Sequence, residues 1–519
     1  MKNILLFGLL IPILSISQQA DIIIRNGKLL DGTGNSWRIA DIAIQSNKII
    51  SIGKLTDWKA IKEINAIGLY IAPGFIDVHT HIENDEVKNP EAGNFIYDGV
   101  TTVVTGNCGL SEPDLERYFK LVDSVKVSVN VAALIGHNDV RKAVMGSANR
   151  LPTEEELLRM ESIVEKAMKD GAVGMSTGLI YIPGTYSETS EIVRLAKVVS
   201  KYGGVYASHM RNEGDSVIPA IDEALHIGRE ANLPVQISHF KLSGQQNWGR
   251  SNETLAKIIA ARQDGLDVTI DQYPYTASST SLSTILPDWI LADGYDSIRA
   301  RLKIPSLRTK ATNDILTNLA KRKLEHFGYA VVAYFKDDTT VNGKSIEQIN
   351  LLKGRKHTKE DEVETIFDMM VKGGASMVFH GMSEDDVKYI MQYPFNMFAS
   401  DASIRVWNQG NPHPRGYGTN ARVLGKYVRE EKIISLEEAI RRMTSLPAQK
   451  FQLKDRGLLK VGYAADIVIF DEKEVKDLST FDKPHQFSTG FHYVIVNGNI
   501  TLEDGKHTGV REGKVLKLN

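Results

Sequence analysis

The stretch IAPGFIDVHTH at residues 71–81 decides the fold class, because an apolar, strand-like run ends there in two histidines spaced two apart. Seven further apolar runs follow along the chain. They are TTVVTGNCG (101–109), VSVNVAALIGH (127–137), GAVGMSTGL (171–179), GVYASHMR (204–211), PVQISHFK (234–241), DVTIDQYPY (267–275) and NMFASDA (396–402). Segments with helical spacing of apolar residues, such as 153–170 and 216–231, separate them. Eight strand–helix repeats predict a parallel (β/α)8 barrel.

Three other regions have a different texture. The interval of about 284–375 breaks the strand–helix rhythm and is too long for one connection, so it predicts an inserted subdomain or lid. Near the N-terminus, DIIIRNGKLLDGTG (21–34) combines short apolar runs with turn signals, and YVIVNGNITLEDG (493–505) repeats this near the C-terminus. The two ends therefore predict one small β domain, with parts at 18–70 and 447–519, beside a barrel over 71–446.

The composition is that of a soluble globular protein. Of 519 residues, 42% are hydrophobic and 24% are charged, which argues against disorder and predicts two or three structural units. Lys and Arg number 62 and Asp and Glu 64, a net charge of -2. This balance gives no electrostatic reason to expect nucleic acid or a membrane surface as a partner.

The first 17 residues, MKNILLFGLLIPILSIS, have the order of a secretory signal: one basic residue, an apolar run, then small residues. The run is too short to span a bilayer. We expect an exported protein, periplasmic or secreted, without membrane association once the signal is cleaved. A buried strand or an uncleaved anchor is the alternative interpretation.

Histidines at several predicted strand ends suggest a metal site. His79 and His81 project to the same face, which at the C-terminal end of a barrel strand looks into the active-site mouth. His209 and His239 each follow a serine at the end of an apolar run and lie 30 residues apart, about one strand–helix unit. Imidazoles converging on one rim suit zinc. Alternatively, His79 and His81 are a chance pair in a hairpin or two histidines of the core.

Cys108 is the single cysteine, so the chain has no internal disulfide and no multi-cysteine zinc cluster. It follows the second predicted strand, and thiolate is a strong zinc ligand. By itself it would be read as buried and inert; a nucleophilic role is less favoured, because a metal can supply the hydroxide. Asp401 follows the eighth strand, where a carboxylate near a metal can move protons. Its alternative role is a helix N-cap.

These residues make the chain recognisable: it resembles the amidohydrolase superfamily and, within it, the N-acyl-D-amino-acid deacylases (D-aminoacylases). The similarity runs over about residues 21–472. It is carried by the stretches APGFIDVHTH, YDGVTTVVTGNCG, SHMRNE, QISHFK, DQYPYTASST, ASD followed by HPRGYGT, and GYAADIVIFD. The GNCG cysteine is the most specific of these, because most of the superfamily has a carboxylated lysine or a glutamate at the metal. The resemblance implies a metal-binding (β/α)8 barrel with a small β-sandwich built from both termini.

The resemblance also implies roles for individual residues. The principal zinc would be held by Cys108, His209 and His239. A second, weaker metal position would use His79 and His81 and share the cysteine. Asp401 would act first as general base and then as general acid.

For the substrate, the resemblance implies that Lys241, Tyr273 and Ser279 bind the α-carboxylate or line its pocket. Arg415 falls where members that prefer glutamate grip acidic side chains. The sequence departs from the family after Asp401, where Ala402 and Ser403 replace a common Gly-Leu-Pro run, and around the two histidines, where Val78 and Ile82 replace a serine and an acidic residue. These departures concern the pocket more than the chemistry.

The expected function is zinc-dependent hydrolysis of the N-acyl amide bond of N-acyl-D-amino acids, which gives a carboxylate and a free D-amino acid. One alternative is a related metal amidase acting on dipeptides with a D-residue or on cyclic amides; Cys108 argues against the cyclic amides. A second is a binding or structural protein that kept the barrel and lost catalysis, although such a protein does not need the ligand set together with Asp401.

Overall fold

The computed structural model describes residues 19–518, so the predicted export signal at 1–17 lies outside the described residues. Eight parallel strands form the central barrel. They are Phe75–Asp77, Val100–Thr105, Asn130–Ala133 continued by Ile135–Gly136, Gly174–Gly178, Val205–His209, Val235–Ile237, Val268–Gln272 and Asn396–Phe398. A parallel bridge between Thr80 and Ala402 joins the first strand's end to the eighth's and closes the ring. The predicted (β/α)8 barrel is confirmed.

Helices surround the barrel and cover its apolar outer surface. They are Asp85–Lys88, Gly93–Ile96, Leu115–Val125, His137–Met145, Glu154–Asp170, Thr189–Ser200, Val217–Ala231, Ser251–Gln263, Glu384–Met391, Arg415–Arg422, Val423–Glu430, Leu436–Met443 and Ser445–Lys450. Glu154–Asp170 shows why the sequence forms them: Thr153 and Glu156 make a reciprocal capping box at its start, and one face of it, with Met160, Val164 and Met168, is buried. No helix within residues 19–518 is long and apolar enough to cross a membrane.

Both ends of the described chain contribute to one sheet of nine strands. They are Gln19–Leu29, Arg38–Gln45, Lys48–Gly53, Lys59–Asn65, Tyr70–Pro73, Ile467–Phe470, Phe491–Val496, Asn499–Glu503 and Lys506–His507. Tyr70–Pro73 pairs with Ile467–Phe470 and so joins the N-terminal part to the C-terminal part. A bridge from Lys48 to Ala464 brings one edge back toward the middle, so the sheet folds over a core rich in isoleucine.

The segment between the seventh and eighth barrel strands forms a separate subdomain. Its three antiparallel strands are Ala277–Ser281, Ala330–Tyr334 and Ser376–His380. Its helices are Leu282–Ile285, Asp288–Leu291, Tyr295–Leu302, Pro305–Lys321, Thr339–Val341, Ile346–Leu352 and Lys359–Val371. The subdomain reaches beyond the predicted interval of 284–375 at both ends, because its first and last strands pair with each other. It has its own apolar core and covers part of the barrel mouth.

Candidate metal centre

A cavity of about 1110 Å³ opens at the C-terminal ends of the barrel strands, between the barrel and the inserted subdomain. Nine of the ten predicted site residues line it. They are His81, Cys108, His209, His239, Lys241, Tyr273, Ser279, Asp401 and Arg415. His79 is fully buried beside them. The topology therefore brings together side chains that lie up to 336 positions apart in the sequence, since His79 and Arg415 share this end of the barrel.

Cys108, His209 and His239 form a compact group of metal-ligating atoms. Cys108 Sγ lies 3.5 Å from His209 Nδ1 and 3.7 Å from His239 Nε2. Those separations match the distance of about 3.5 Å between a sulfur and a nitrogen that bind one tetrahedral zinc ion. The two imidazole nitrogens are 2.7 Å apart, a hydrogen-bond contact. A thiolate and two imidazoles are a donor set that zinc prefers, and three protein ligands leave a fourth position open.

His79 and His81 extend this group toward Asp401. His79 Nε2 lies 3.3 Å from Cys108 Sγ, and His81 Nε2 lies 3.3 Å from Asp401 Oδ1. Both histidines follow a parallel barrel strand, Phe75–Asp77, so they do not belong to a hairpin. His79, His81 and Cys108 offer three ligand atoms within 4.8 Å of one another, enough to form a second metal position beside the first.

The backbone is in the left-handed region at three of these residues that are not glycine. φ is 54° at Cys108, 35° at His239 and 49° at Asp401. Such conformations are disfavoured for residues with a Cβ and concentrate at functional sites, where the surroundings hold them. Gly106 has a φ of 78°, and a Cβ there would come 2.1 Å from the Leu134 carbonyl oxygen. The chain can therefore turn before Cys108 only with glycine at 106.

The electrostatics favour the charged forms of the thiol and the acid. Burial by itself raises the pKa of Cys108, but the neighbouring imidazoles, with His79 foremost, lower it well below its usual range. Burial likewise opposes ionisation of Asp401, yet the Arg415 guanidinium, 2.9 Å away, and His79 lower the pKa of this carboxyl well below its ordinary value. Asp401 is not a helix N-cap, because the next helix begins at Arg415.

Two carboxylates that the sequence analysis missed hold the histidines in place. Glu213 Oε1 lies 2.9 Å from His239 Nδ1 and 2.5 Å from Lys241 Nζ. Asp271 Oδ1 accepts the His239 backbone N–H at 2.8 Å and lies 3.4 Å from His79 Nδ1. Carboxylates behind metal-binding histidines fix the ring and its tautomer. A signal for Asp271 was available, because it ends the seventh predicted strand and so belongs to the same rim.

Lys241 is held by this network. Its ammonium contacts Glu213 and lies 2.9 Å from His239 Nδ1, so it sits directly behind a metal-site histidine. Burial lowers the pKa of Lys241, but the Glu213 carboxylate outweighs this and raises it. The lysine thus stays charged while facing the cavity near Tyr273, whose ring centroid is 5.7 Å from Nζ.

Arg415 links the remaining predicted residues. Its guanidinium lies over the Tyr273 ring at 4.4 Å, pairs with Asp401 and donates to the Ser279 carbonyl oxygen at 3.3 Å. The Ser279 hydroxyl donates to the Met377 carbonyl oxygen at 2.8 Å, across the sheet of the inserted subdomain. The pocket wall therefore includes both barrel and insert.

Comparison with known proteins places this site in a family. A model of the amidohydrolase family matches residues 62–502. The D-aminoacylase of Alcaligenes xylosoxydans xylosoxydans is 36% identical, over 97% of this chain and 98% of that protein. The N-acyl-D-glutamate deacylase of the same organism is 35% identical, over 97% of each chain.

A solved structure agrees with this placement. The crystal structure of N-acyl-D-glutamate deacylase from Bordetella bronchiseptica contains zinc and a phosphonate inhibitor that mimics the tetrahedral intermediate. It is 34% identical to this chain and superposes on it with a TM-score of 0.82. The match covers 96% of this chain and 100% of that structure's chain. With the family model spanning most of the chain and these relatives matching nearly all of it, the chain belongs to the amidohydrolase family.

Proposed function

We propose that this protein hydrolyses the N-acyl amide bond of N-acyl-D-amino acids in a zinc-dependent reaction, giving a carboxylate and a free D-amino acid. One observation carries the proposal: the Cys108 thiol meets the imidazoles of His79, His209 and His239 beside the carboxylate of Asp401. Two relatives that match 97% of this chain are a D-aminoacylase and an N-acyl-D-glutamate deacylase, which supports the D-configuration of the substrate.

In this proposal Cys108, His209 and His239 hold the principal zinc, and His79 and His81 provide the second, weaker position that shares Cys108. When bound, zinc lowers the pKa of water and polarises the scissile carbonyl. Glu213 and Asp271 orient the histidines. Glu213 contacts Nδ1 of His239, and Asp271 lies near Nδ1 of His79 and accepts the backbone N–H of His239.

Asp401 moves the proton of the reaction. Its lowered pKa keeps it ionised at neutral pH, so it accepts a proton from the attacking water as a general base. It then returns that proton to the departing amine nitrogen. Its contacts suit both steps, since Arg415 holds one oxygen at 2.9 Å while the other faces His81 at 3.3 Å.

Lys241 and Tyr273 are the proposed binding groups for the substrate α-carboxylate, with Ser279 in the adjoining wall. Lys241 is cationic and immobilised, and the Tyr273 ring lies close to both Lys241 and Arg415. A carboxylate fixed on this side of the metal would leave the D and L side chains pointing in different directions. Stereochemical selection follows from that fixed point.

A panel of substrates tests the proposal. Protein without residues 1–17, loaded with zinc, should release the amine from N-acetyl-D-amino acids and not from their L-enantiomers. Asp401→Asn should fold, bind zinc and lack this activity. Hydrolysis of the L-series alone, or of D-containing dipeptides or cyclic amides in preference to the N-acetyl-D-amino acids, would contradict it.

We also propose that residues 1–17 direct export, on their order of charge, apolar run and small residues. The mature protein recovered from a periplasmic or extracellular fraction should then begin shortly after Ser17. Recovery of the uncut chain from the cytosolic fraction would contradict this.

A further inference from the structure

Arg405 lies in the part of the cavity wall where this sequence departs from the family pattern. The loop that follows Asp401 runs through Ala402 and Ser403 to Arg405, and all four residues line the cavity. None of the roles assigned above uses Arg405. A guanidinium at the edge of an active site is a group that binds carboxylates, because its planar fork can donate two parallel hydrogen bonds.

The position of Arg405 is fixed through its backbone. Its N–H donates to Asn94 Oδ1 at 3.0 Å, and its carbonyl oxygen accepts from Asn89 Nδ2 at 2.8 Å. Asn94 also donates to the Gly416 carbonyl oxygen at 2.8 Å, which ties the loop to the helix that begins at Arg415. The guanidinium therefore extends from an immobilised base, as a binding group requires.

The guanidinium itself has no partner among residues 19–518. Its Nε is shielded from solvent and donates no hydrogen bond, and no carboxylate lies within ion-pair distance of it. Four other Lys and Arg side chains line the cavity, and three of them are paired: Arg415 with Asp401, Lys241 with Glu213 and Lys88 with Asp85. Arg405 is thus a partly buried cation in the cavity wall, and its guanidinium donors are unused.

A second cation lies next to it. A Cβ on Gly416 would come 2.8 Å from Arg405 Nε, so the side chain passes directly over the residue that follows Arg415. Burial and the charge of Arg415 both lower the pKa of Arg405 from its ordinary value. The charges of Asp85 and Asp401 oppose this lowering only in part. An anion bound to Arg405 would offset the repulsion by Arg415 and the desolvation of the guanidinium.

We propose that Arg405 is a specificity-determining residue that binds a carboxylate of the substrate other than the α-carboxylate. The inference rests on the proposed function and names its substrate class: N-acyl-D-amino acids that carry a second carboxylate. That carboxylate has two possible sources, the amino-acid side chain or a dicarboxylic acyl group. Both present the same planar anion to the guanidinium, and the substrates chosen for the test separate them.

The test compares kcat/KM of zinc-loaded wild-type and Arg405→Met enzyme on N-acetyl-D-glutamate, N-succinyl-D-leucine and N-acetyl-D-leucine. Wild type should prefer one of the two dicarboxylates to N-acetyl-D-leucine, and the preferred one identifies the source. Arg405→Met should lower kcat/KM for that substrate by about 10- to 100-fold, the loss expected for a charged hydrogen-bond pair. Turnover of N-acetyl-D-leucine should change by less than about threefold, since it lacks the second carboxylate.

Arg299→Met serves as the matched control, because Arg299 is an exposed arginine of the inserted subdomain, paired with Asp296 and outside the cavity. It should leave all three values unchanged. Should Arg405→Met fail to fold, Arg405→Lys keeps the charge but not the fork and should still lose part of the preference.

Two results would overturn the inference. One is hydrolysis of N-acetyl-D-leucine by wild type without preference for either dicarboxylate, which leaves the proposed function intact. The other is an equal loss on all three substrates in Arg405→Met, which would assign Arg405 to the α-carboxylate or to stability. A wild-type enzyme that hydrolyses none of the three would overturn the proposed function together with the inference.

Discussion

Replacing Glu213 by glutamine tests whether the residues behind the metal site position it. The substitution keeps the size of the side chain and removes its charge. Glu213 contacts both His239, 2.9 Å away, and the buried ammonium of Lys241, 2.5 Å away. Glu213→Gln should therefore have two separable effects, one on zinc affinity through the histidine and one on stability through the lysine.

The structure sets the size of each effect. Removing one partner of a buried ion pair costs about 3–5 kcal/mol, and glutamine can still accept one hydrogen bond. We therefore expect Glu213→Gln to lower the free energy of unfolding by about 3 kcal/mol. Loss of a carboxylate behind a metal-binding histidine weakens metal affinity by about 10- to 100-fold. The pKa of Lys241 should also fall in this variant, because burial lowers it and the Glu213 carboxylate that raises it is no longer present.

Urea unfolding of metal-free protein measures the first effect, and zinc competition with a chelator measures the second. Glu253→Gln is the matched control, since Glu253 pairs with Arg250 at a largely exposed position. It should change the unfolding free energy by less than about 0.5 kcal/mol and leave zinc affinity unchanged. If Glu213→Gln behaves like this control in both assays, Glu213 does not position the site.

Three further changes have defined outcomes. Asp401→Asn should abolish turnover while zinc content stays at the wild-type value, because the proton carrier is removed and the principal ligands remain; near-normal turnover would refute its role. Burial raises the pKa of Asp98 from its ordinary 3.8 to about 7, so the folded state holds this proton more tightly than the unfolded chain. The free energy of unfolding should therefore fall as pH rises from about 4 to about 7, and Asp98→Asn should flatten that part of the profile measured by urea unfolding; identical slopes would contradict the assignment. Gly106→Ala should destabilise the fold by more than about 2 kcal/mol and reduce zinc content, because φ is 78° and the new methyl would meet Leu134; a normal melting temperature would count against the argument.

The barrel could be predicted from the sequence because its signal is local and repeated. Each strand is a short apolar run, and the polar residue that ends it must lie at the same rim as the others. That rule alone places Cys108, His209 and Asp401 near one another. The inserted subdomain interrupts this repeat, but its first strand, Ala277–Ser281, is a polar run (ASSTS) and carries no such apolar signal.

Glu213 and Arg405 show what the sequence could not provide. Both lie in loops, several residues beyond a strand end, where the direction of a side chain depends on contacts with other parts of the chain. Glu213 reaches His239 from the loop of the preceding strand, and Arg405 is held by Asn94 from more than 300 positions away. No periodicity reports such contacts. They follow only from the closed barrel.

The proposed metal centre depends most on the sulfur of Cys108 as a metal ligand. Cobalt(II) substitution tests this directly, because a thiolate bound to cobalt gives a charge-transfer absorption and the chain has a single cysteine. We expect that absorption in the wild-type protein, its complete loss in Cys108→Ser, and a fall in bound zinc in the same variant. Absence of the absorption from cobalt-loaded wild type, or wild-type zinc content and turnover in Cys108→Ser, would contradict the proposed metal centre.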